Sequence, residues 1–577
     1  MPKTLNARAV YNLQGARTRQ YLILLFFLSA FIAIFLKLFY LQVLNYNRFA
    51  EMADRQHNKF LEVPPKRGII YDRFMEPFTV NIDKTSIFAD PHQIVDQAEI
   101  AQILSKILQI DYEAILQKLN TPKAFIWIKR KVSQEEFDAV KRMSLKGIHF
   151  IKETERNYPN DSMASHVIGF AGMDNRGLEG LELFYDTTLR GQPGLQHFIR
   201  DAKLRLVLDN EADSVMARNG LNLVLTVDNV IQHIVETEIK KMAEKYNAST
   251  ASAVVMEPYT GKILAMVNYP DYNLNDFSTA SRDVMNNAVV SYVFEPGSVF
   301  KVVTASAVLS EGICDVDTKI HCENGEYEVA GRILHDFHPY GLMTFEDVIA
   351  HSSNIGTVKM AMKLGKDKLN DYIKKFGFGS LTGVDLPGEV AGIVRPSRVW
   401  SKSDITTVPI GQGIAVTSIQ LARAVSVIAN GGYLVKPYIV ERIVTEDGSI
   451  FKDNEPLKKE RVIDEEICWK VKEMMEGVVE KGSGRKAYSE KFITCGKTGT
   501  AQMVNPKGGY YDNKYHATFV GFAPKENPLF TIIVTAQDPH PIHFGGNVAA
   551  PAFKEIAEKI FEYIETQKTE RKEYKSL

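Results

Sequence analysis

The sequence predicts a multidomain α+β protein: one transmembrane helix at the amino terminus, a middle module, and a large carboxy-terminal domain with an antiparallel sheet flanked by helices. Three observations carry this. The chain has 577 residues, too many for one ordinary domain and ample for two or three with sizeable cores. Residues 21–44, YLILLFFLSAFIAIFLKLFYLQVL, are apolar but for Lys37, which is the length of a single membrane span. Beyond residue 226, segments of strand period and of helix period follow one another. Composition is globular, 45% hydrophobic and 24% charged with a net charge of −1. There is no basic excess to suggest a nucleic-acid partner.

Residues 1–20 contain Lys3, Arg8, Arg17 and Arg19 and no acid. A basic leader ahead of a span places the start of the chain in the cytoplasm. The apolar run is too long for a cleavable signal peptide, and no small-residue cleavage site ends it. An uncleaved anchor at 21–44 is expected, with the remainder outside the cytoplasmic membrane. Next, FLEVPPKRGIIYDR places a Pro-Pro break before a short strand with charges at both ends. GLNLVLTVD, residues 220–228, alternates as a strand entering the next domain. The boundaries are thus 45–225 for the middle module and 226–565 for the last domain.

Within 226–565, IQHIVETEIKKMAEKY is an amphipathic helix and ASAVVMEPYTGKILAMVN a hairpin. An apolar helix follows Ser298, and another, IAVTSIQLARAVSVIANGG, follows Gly411-Gln412-Gly413. ATFVGFAP and LFTIIVTAQ are strands, and a closing helix places Phe553, Ile556, Ile560 and Ile564 on one face. The polar tail, 566–577, is expected to be disordered.

The chemistry centres on Glu295-Pro296-Gly297-Ser298-Val299-Phe300-Lys301. On a helix, Ser298 and Lys301 stand one above the other on the same face. Lys301 is out of place in an apolar helix, and a buried lysine tends to lose its charge and become a base. Ser298 falls in the first turn, where free N–H groups favour a developing anion. Ser-x-x-Lys also occurs at Ser449–Lys452, after an Asp-Gly turn, and at Ser483–Lys486, in the stretch KGSGR. Neither opens a long apolar helix. On its own, the tetrad at Ser298 equally fits a capping serine with a snorkelling lysine.

Two more motifs change the weighing. Ser352-Ser353-Asn354 is the only Ser-x-Asn in the chain, and Lys497-Thr498-Gly499 the only Lys-Thr-Gly. Peptide acyl transfer needs a nucleophile, a base, a second proton carrier and an oxyanion hole. Ser298 would attack, Lys301 would be the base and Ser352 would relay the proton to the leaving amine. Asn354 offers an amide to the peptide backbone, and Lys497 adds positive charge near both serines. KFITCGKTGTAQMV reads as a strand edging the cleft, whose Thr498 and Thr500 hydroxyls would bind a carboxylate beside Gly499. A phosphate-binding loop is excluded, because it needs Gly at position 491, which is Lys.

The order Ser-x-x-Lys, Ser-x-Asn, Lys-Thr-Gly resembles the penicillin-binding protein family. Arg67-Gly68-Ile69-Ile70-Tyr71-Asp72-Arg73, Arg156-Asn157-Tyr158-Pro159, ASHVIGFAG and Gly177-Leu178-Glu179-Gly180-Leu181-Glu182 look like the non-catalytic module of its class B members. The resemblance implies an elongated mixed α/β pedestal, with Arg67 and Glu182 as internal ion-pair partners, and a penicillin-binding transpeptidase domain. It also implies an oxyanion hole from the Ser298 and Thr500 N–H groups. No glycosyltransferase-like block precedes the transpeptidase region, which argues for the monofunctional class B type. Within that class the chain is most similar to the septal, cell-division type, since elongation-specific relatives commonly carry Asp where Asn354 stands.

The resemblance therefore implies a D,D-transpeptidase acting on peptidoglycan stem peptides that end in D-Ala-D-Ala. It implies β-lactams as ligands and no metal or organic cofactor. Its expected partners are a glycan-polymerising enzyme and division-complex proteins. A hydrolase, either β-lactamase or carboxypeptidase, is the second reading, but no Glu between Asn354 and Lys497 has the Asn four residues on that class A enzymes generally carry. A scaffold with a vestigial site is the third. An oxidising compartment would allow a Cys314–Cys322 disulfide, although free buried thiols are the plainer reading. Cys495 reads as core packing. His335, His338, His540 and His543 sit in no metal frame and read as loop residues near the cleft.

Overall fold

The computed structural model describes residues 7–123, 125–200, 206–208, 215–454 and 460–576. They form two compact units, Met1–Pro65 with Gln192–Arg218, and Lys66–Gly191 with Asn219–Leu577. In the first, helix α1 (Ala7–Phe39) passes into a short π-helical turn, Tyr40–Leu44. From Arg17 to Leu44 it is long and apolar enough to cross a membrane, and none of that stretch is buried by protein. Asn58–Val63, Gly194–Arg200 and Leu206–Leu208 pair antiparallel in that order.

In the second unit, Val80–Ala89 pairs antiparallel with both Ile126–Val132 and Ile148–Asn157. Two helices, Gln97–Leu108 and Tyr112–Leu119, start at Asp96 and Asp111, whose carboxylates accept the Glu99 and Ala114 N–H groups. These caps satisfy donors that a helix start leaves free. The helices bury Leu104, Leu108, Ile115 and Leu119 in a core with Ile87 and Ile128.

A buried ion cluster pins three distant segments of this module together. Glu182, wholly buried, accepts Arg67 Nε at 2.5 Å and Arg156 Nε at 2.6 Å. Arg67 also reaches Asp186 Oδ1 at 2.7 Å and the Glu182 carbonyl at 2.8 Å. The Arg67–Glu182 pair is the one the sequence led us to expect. Such a group is tolerated only because nearly every charge finds a partner.

The main sheet is built from β1 (Thr250–Met256), β2 (Ile263–Tyr269), β3 (Cys495–Val504), β4 (Tyr510–Ala523) and β5 (Phe530–Gln537), in the order β2-β1-β5-β4-β3 and antiparallel throughout. Helices α2 (Asn229–Lys245) and α6 (Gly545–Ser576) belong to one face, where Ile231, Val235, Phe553 and Ile556 pack on Phe519, Ile532 and Val534. Helices α3 (Lys301–Ser310), α4 (Asn354–Leu364) and α5 (Ser418–Ala429) pack in the core of the other face with Val254, Met266, Val520 and Ile533. Because both faces are covered, the central strands are continuous apolar runs instead of alternating ones.

The strand read in GLNLVLTVD forms at Asn222–Leu225 and joins Val440–Val444 and Ile70–Tyr71 in a separate four-stranded sheet. Alternation shows that a segment is a strand but not which partner it takes. Residues 566–576 of the tail, expected to be disordered, continue α6 as helix. Glu, Lys, Arg and Gln are good helix formers, and Lys568 pairs with Glu565 at 2.8 Å. Residue 577 lies outside the described residues.

Glu182→Ala, which removes the one carboxylate shared by two buried guanidinium groups and leaves Arg156 without an acid partner among the described residues, is expected to lower stability by about 3–5 kcal/mol. Lys84→Ala removes a half-exposed pair with Glu155 at 3.6 Å and is expected to cost less than about 1 kcal/mol. Thermal and denaturant unfolding of the two variants beside the parent protein checks the contrast.

Candidate active site

The turn that presents Ser298 is held by close backbone approach. Gly297 has φ of +55° and donates its N–H to the Gly411 carbonyl at 3.0 Å. Gly411, at φ +78°, lies so near that a Cβ there would stand 2.2 Å from the Gly297 oxygen. Neither position accepts a side chain without strain. Glu295 Oε1 accepts the Gly413 N–H at 2.8 Å, and its carboxylate also takes the Tyr510 hydroxyl. Gly297–Phe300 is a 3-10 turn that leads straight into α3. Ser298 is half-buried there, and its hydroxyl makes no hydrogen bond among the described residues.

Helix α3 is buried from Lys301 to Leu309. Lys301 is wholly buried, and its Nζ donates to the Ser352 carbonyl at 2.6 Å, to Asn354 Oδ1 at 2.8 Å and to Ser352 Oγ at 3.2 Å. It makes no hydrogen bond to Ser298. Lys497, also wholly buried, reaches Ser352 Oγ from the other side at 3.0 Å. Burial pushes the Lys301 amine down to about 7, against a smaller opposing pull from the Asp336 carboxylate. Burial also holds Lys497 well below the ordinary lysine range, and the charge of Lys301 lowers it further. A charged amine in apolar surroundings is costly, so proton loss is the relief.

Ser352 sits at φ +63°, a left-handed conformation that costs a non-glycine residue on the order of 1–3 kcal/mol. There its carbonyl and hydroxyl both meet Lys301. Ser353 caps α4 by accepting the Gly356 N–H at 3.0 Å. Below it, Asp336 accepts the Ser353 hydroxyl at 2.6 Å and the Asn354 and Ile355 N–H groups at 2.5 and 3.1 Å. Asn354 Nδ2 donates to the His335 carbonyl at 2.9 Å. Asn354 thus holds Lys301 in place through Oδ1, and its Nδ2 keeps a second hydrogen beyond the one given to His335.

Strand β3 runs beside the nucleophile turn because Gly499 has no side chain: a Cβ there would lie 3.0 Å from the Pro296 oxygen and 3.1 Å from Val299 Cγ1. Residues two apart share a strand face, and Thr498 and Thr500 both line a cavity of about 470 Å³ with Ser483, His338 and Phe544. Thr498 Oγ1 bonds Ser483 Oγ at 2.6 Å, and Thr500 Oγ1 accepts the Gly545 N–H at 3.0 Å. The result is a cavity lined by hydroxyl groups, with two buried amines close by.

Asp336, Glu295 and Ser483 were not picked out by sequence reasoning. Asp336 lies within the His335–His338 stretch read only as a loop near the cleft, and Ser483 within a tetrad set aside as chance. Ser449, in the other such tetrad, is exposed and hydrogen-bonded to Asp447 in a turn. All four cysteines are free, and Cys322, Cys468 and Cys495 are buried. Among the described residues no three His, Cys, Asp or Glu side chains gather as a metal site.

Residues 251–558 match the family described as penicillin binding protein transpeptidase domain, and 62–225 the penicillin-binding protein dimerisation domain. The chain is 36% identical to stage V sporulation protein D of Bacillus subtilis, over 93% of this chain and 84% of that protein. It is 33% identical to the peptidoglycan D,D-transpeptidase FtsI of Escherichia coli K12, over 90% and 87%. The crystal structure of penicillin binding protein 3 from Mycobacterium tuberculosis complexed with aztreonam superposes with a TM-score of 0.70 at 30% identity, covering 88% of this chain and 97% of that one. The same protein complexed with ampicillin is equally similar, with a TM-score of 0.70.

Asp336→Ala leaves three donors of the α4 start without their acceptor. It is expected to lower stability by about 1–3 kcal/mol, read as a fall in the unfolding midpoint, whereas Asp83→Ala, on the half-exposed Val80–Ala89 strand, stays within roughly 0.5 kcal/mol of the parent.

Proposed function

The chain belongs to the class B penicillin-binding proteins, and from that premise we propose that it is a peptidoglycan D,D-transpeptidase whose acyl-enzyme forms on Ser298. The observation that carries this reading is the pair of buried amines, Lys301 and Lys497, meeting on the Ser352 hydroxyl beside the Ser298 turn. Ser298 Oγ attacks the penultimate D-Ala carbonyl of a stem peptide, and its proton passes to neutral Lys301. The Ser298 and Thr500 N–H groups take the oxyanion. The proton then moves through Ser352 to the leaving nitrogen, and the terminal D-Ala departs. An amine of a neighbouring stem peptide attacks the ester by the reverse proton path. Thr498 and Thr500 hold the terminal carboxylate, and Gly499 keeps the strand close enough for this. β-Lactams acylate the same serine.

The basic leader and α1 support an anchor in the cytoplasmic membrane with the amino terminus in the cytoplasm and the catalytic domain outside. Likeness to FtsI supports a septal role with division-complex proteins and a glycan-polymerising partner. The likeness to stage V sporulation protein D favours a second reading, the same chemistry serving sporulation. Depletion that leaves division intact but blocks spore formation would decide for the second.

A fluorescent penicillin is expected to give a long-lived adduct with the parent protein and none with Ser298→Ala. Rapid turnover would identify a hydrolase, and no adduct at all would sink the catalytic reading. Because Lys301 must be neutral to act as base, the acylation rate is expected to climb as pH rises through about 7 and level off above it. Lys301→Arg, charged at every accessible pH, is expected to lose at least about 100-fold, measured as the second-order rate of labelling.

A further inference from the structure

A polar stripe crosses the α3–α5 face of the main sheet where apolar residues would be expected. Ser252 on β1 stands in register with Thr535 on β5 and with Asn268 on β2, and Thr535 with Thr518 on β4. Two residues away on the same strands and the same face are Val254, Ile533, Met266 and Val520, all core residues. Ser252 and Thr535 satisfy one another at 2.8 Å. Asn268 Oδ1 and both ring nitrogens of His516 have no hydrogen-bond partner among the described residues, although these side chains are only 7% and 6% exposed. Buried polar atoms without partners are costly and rare in native proteins.

Both side chains line one cavity of about 190 Å³, which shares no residue with the cavity beside Thr498 and Thr500. Its rim includes the exposed Ser249, Asp283 and Tyr292. Phe294 forms a wall and stacks on His516, with ring centroids 4.6 Å apart. Among the described residues no lysine or arginine lines it, so no basic side chain there favours an anion. Burial pushes His516 down to about 4, which leaves a neutral ring with one donor and one acceptor.

These walls specify an occupant. Hydroxyl, amide and neutral imidazole groups call for a ligand dense in hydroxyls, and aromatic faces call for one with an apolar C–H face. The volume lies below the roughly 300–1,000 Å³ of drug-sized sites, which limits the occupant to about one ring. We propose that this cavity is a second binding site, distinct from the Ser298 cleft, and that it takes a pyranose sugar ring. The site also touches the catalytic seam: Phe294 exchanges backbone hydrogen bonds with Val416 and directly precedes Glu295, and His516 pairs with Ala501, next to Thr500.

The test uses full-length protein in detergent with N-acetylglucosamine as probe, read by saturation-transfer NMR and by hydrogen exchange. The expected result is a saturation-transfer signal that persists after penicillin has blocked the Ser298 cleft. It should weaken about fivefold, the loss of one hydrogen bond, in Ser252→Val and in Asn268→Leu, each checked for folding by penicillin labelling. In the parent protein the sugar should slow exchange in peptides spanning 283–294 and 514–519 and leave 335–340 unchanged. A β-1,4-linked disaccharide that competes makes the occupant the end of a glycan chain; one that does not makes it a free monosaccharide. No signal in the parent, a signal abolished by penicillin, or equal signal from glycerol overturns the proposal, and the exchange data decide even if both variants fail to fold. Loss of penicillin labelling with sugar binding retained would count against the Ser298 reading alone.

Discussion

Two lysine amines removed from water and brought to one serine hydroxyl form the constraint on which the rest of this structure depends. Each amine would ordinarily demand a carboxylate, yet among the described residues neither hydrogen-bonds one; Lys301 is met by a carbonyl, an amide oxygen and a hydroxyl. Asp336 instead ties down the start of α4 and acts on Lys301 only through its field. Carboxylates in contact would have kept both amines charged. Oxygen dipoles hold them in place while leaving the proton labile.

That arrangement asks for precision from three separate stretches of chain. Helix α3 delivers Lys301, the left-handed turn at Ser352 delivers a carbonyl and a hydroxyl together, and β3 delivers Lys497. Glycines make the approach possible: Gly411 against Gly297 and Gly499 against Pro296 bring backbones closer than any side chain permits. The apolar cores on both faces of the sheet then fix the elements so that the strain at Ser352 persists.

Much of this was legible in the sequence. Rare motifs in a fixed order pointed to Ser298, Lys301, Ser352 and Lys497, because each chemical task restricts residue type, and the last three meet in the structure. Hydrophobic period located α2, α5, β5 and the buried face of α6. What escaped was partnership. The sheet that the strand at 222–225 joins was not legible because pairing is set by tertiary register, nor were the bonds of Asn354 to Lys301 and His335, which are remote in sequence. Asp336 had no local signal at all, since a capping carboxylate supplied from 18 residues away looks like any loop acid.

Among the described residues strand β3 ends the sheet, pairing on one side only, with β4. Its other edge, along Lys497–Thr500, takes no further strand among the described residues, although the Thr498 carbonyl accepts Lys497 Nζ at 3.2 Å; an edge of this kind is where an extended peptide can add as a further strand. Contacts of that kind read the backbone of a ligand, and side-chain replacement in the protein cannot delete them. A lineage under selection to evade a mimic of the natural peptide would have to displace the strand itself, and the same displacement would weaken its hold on the natural peptide.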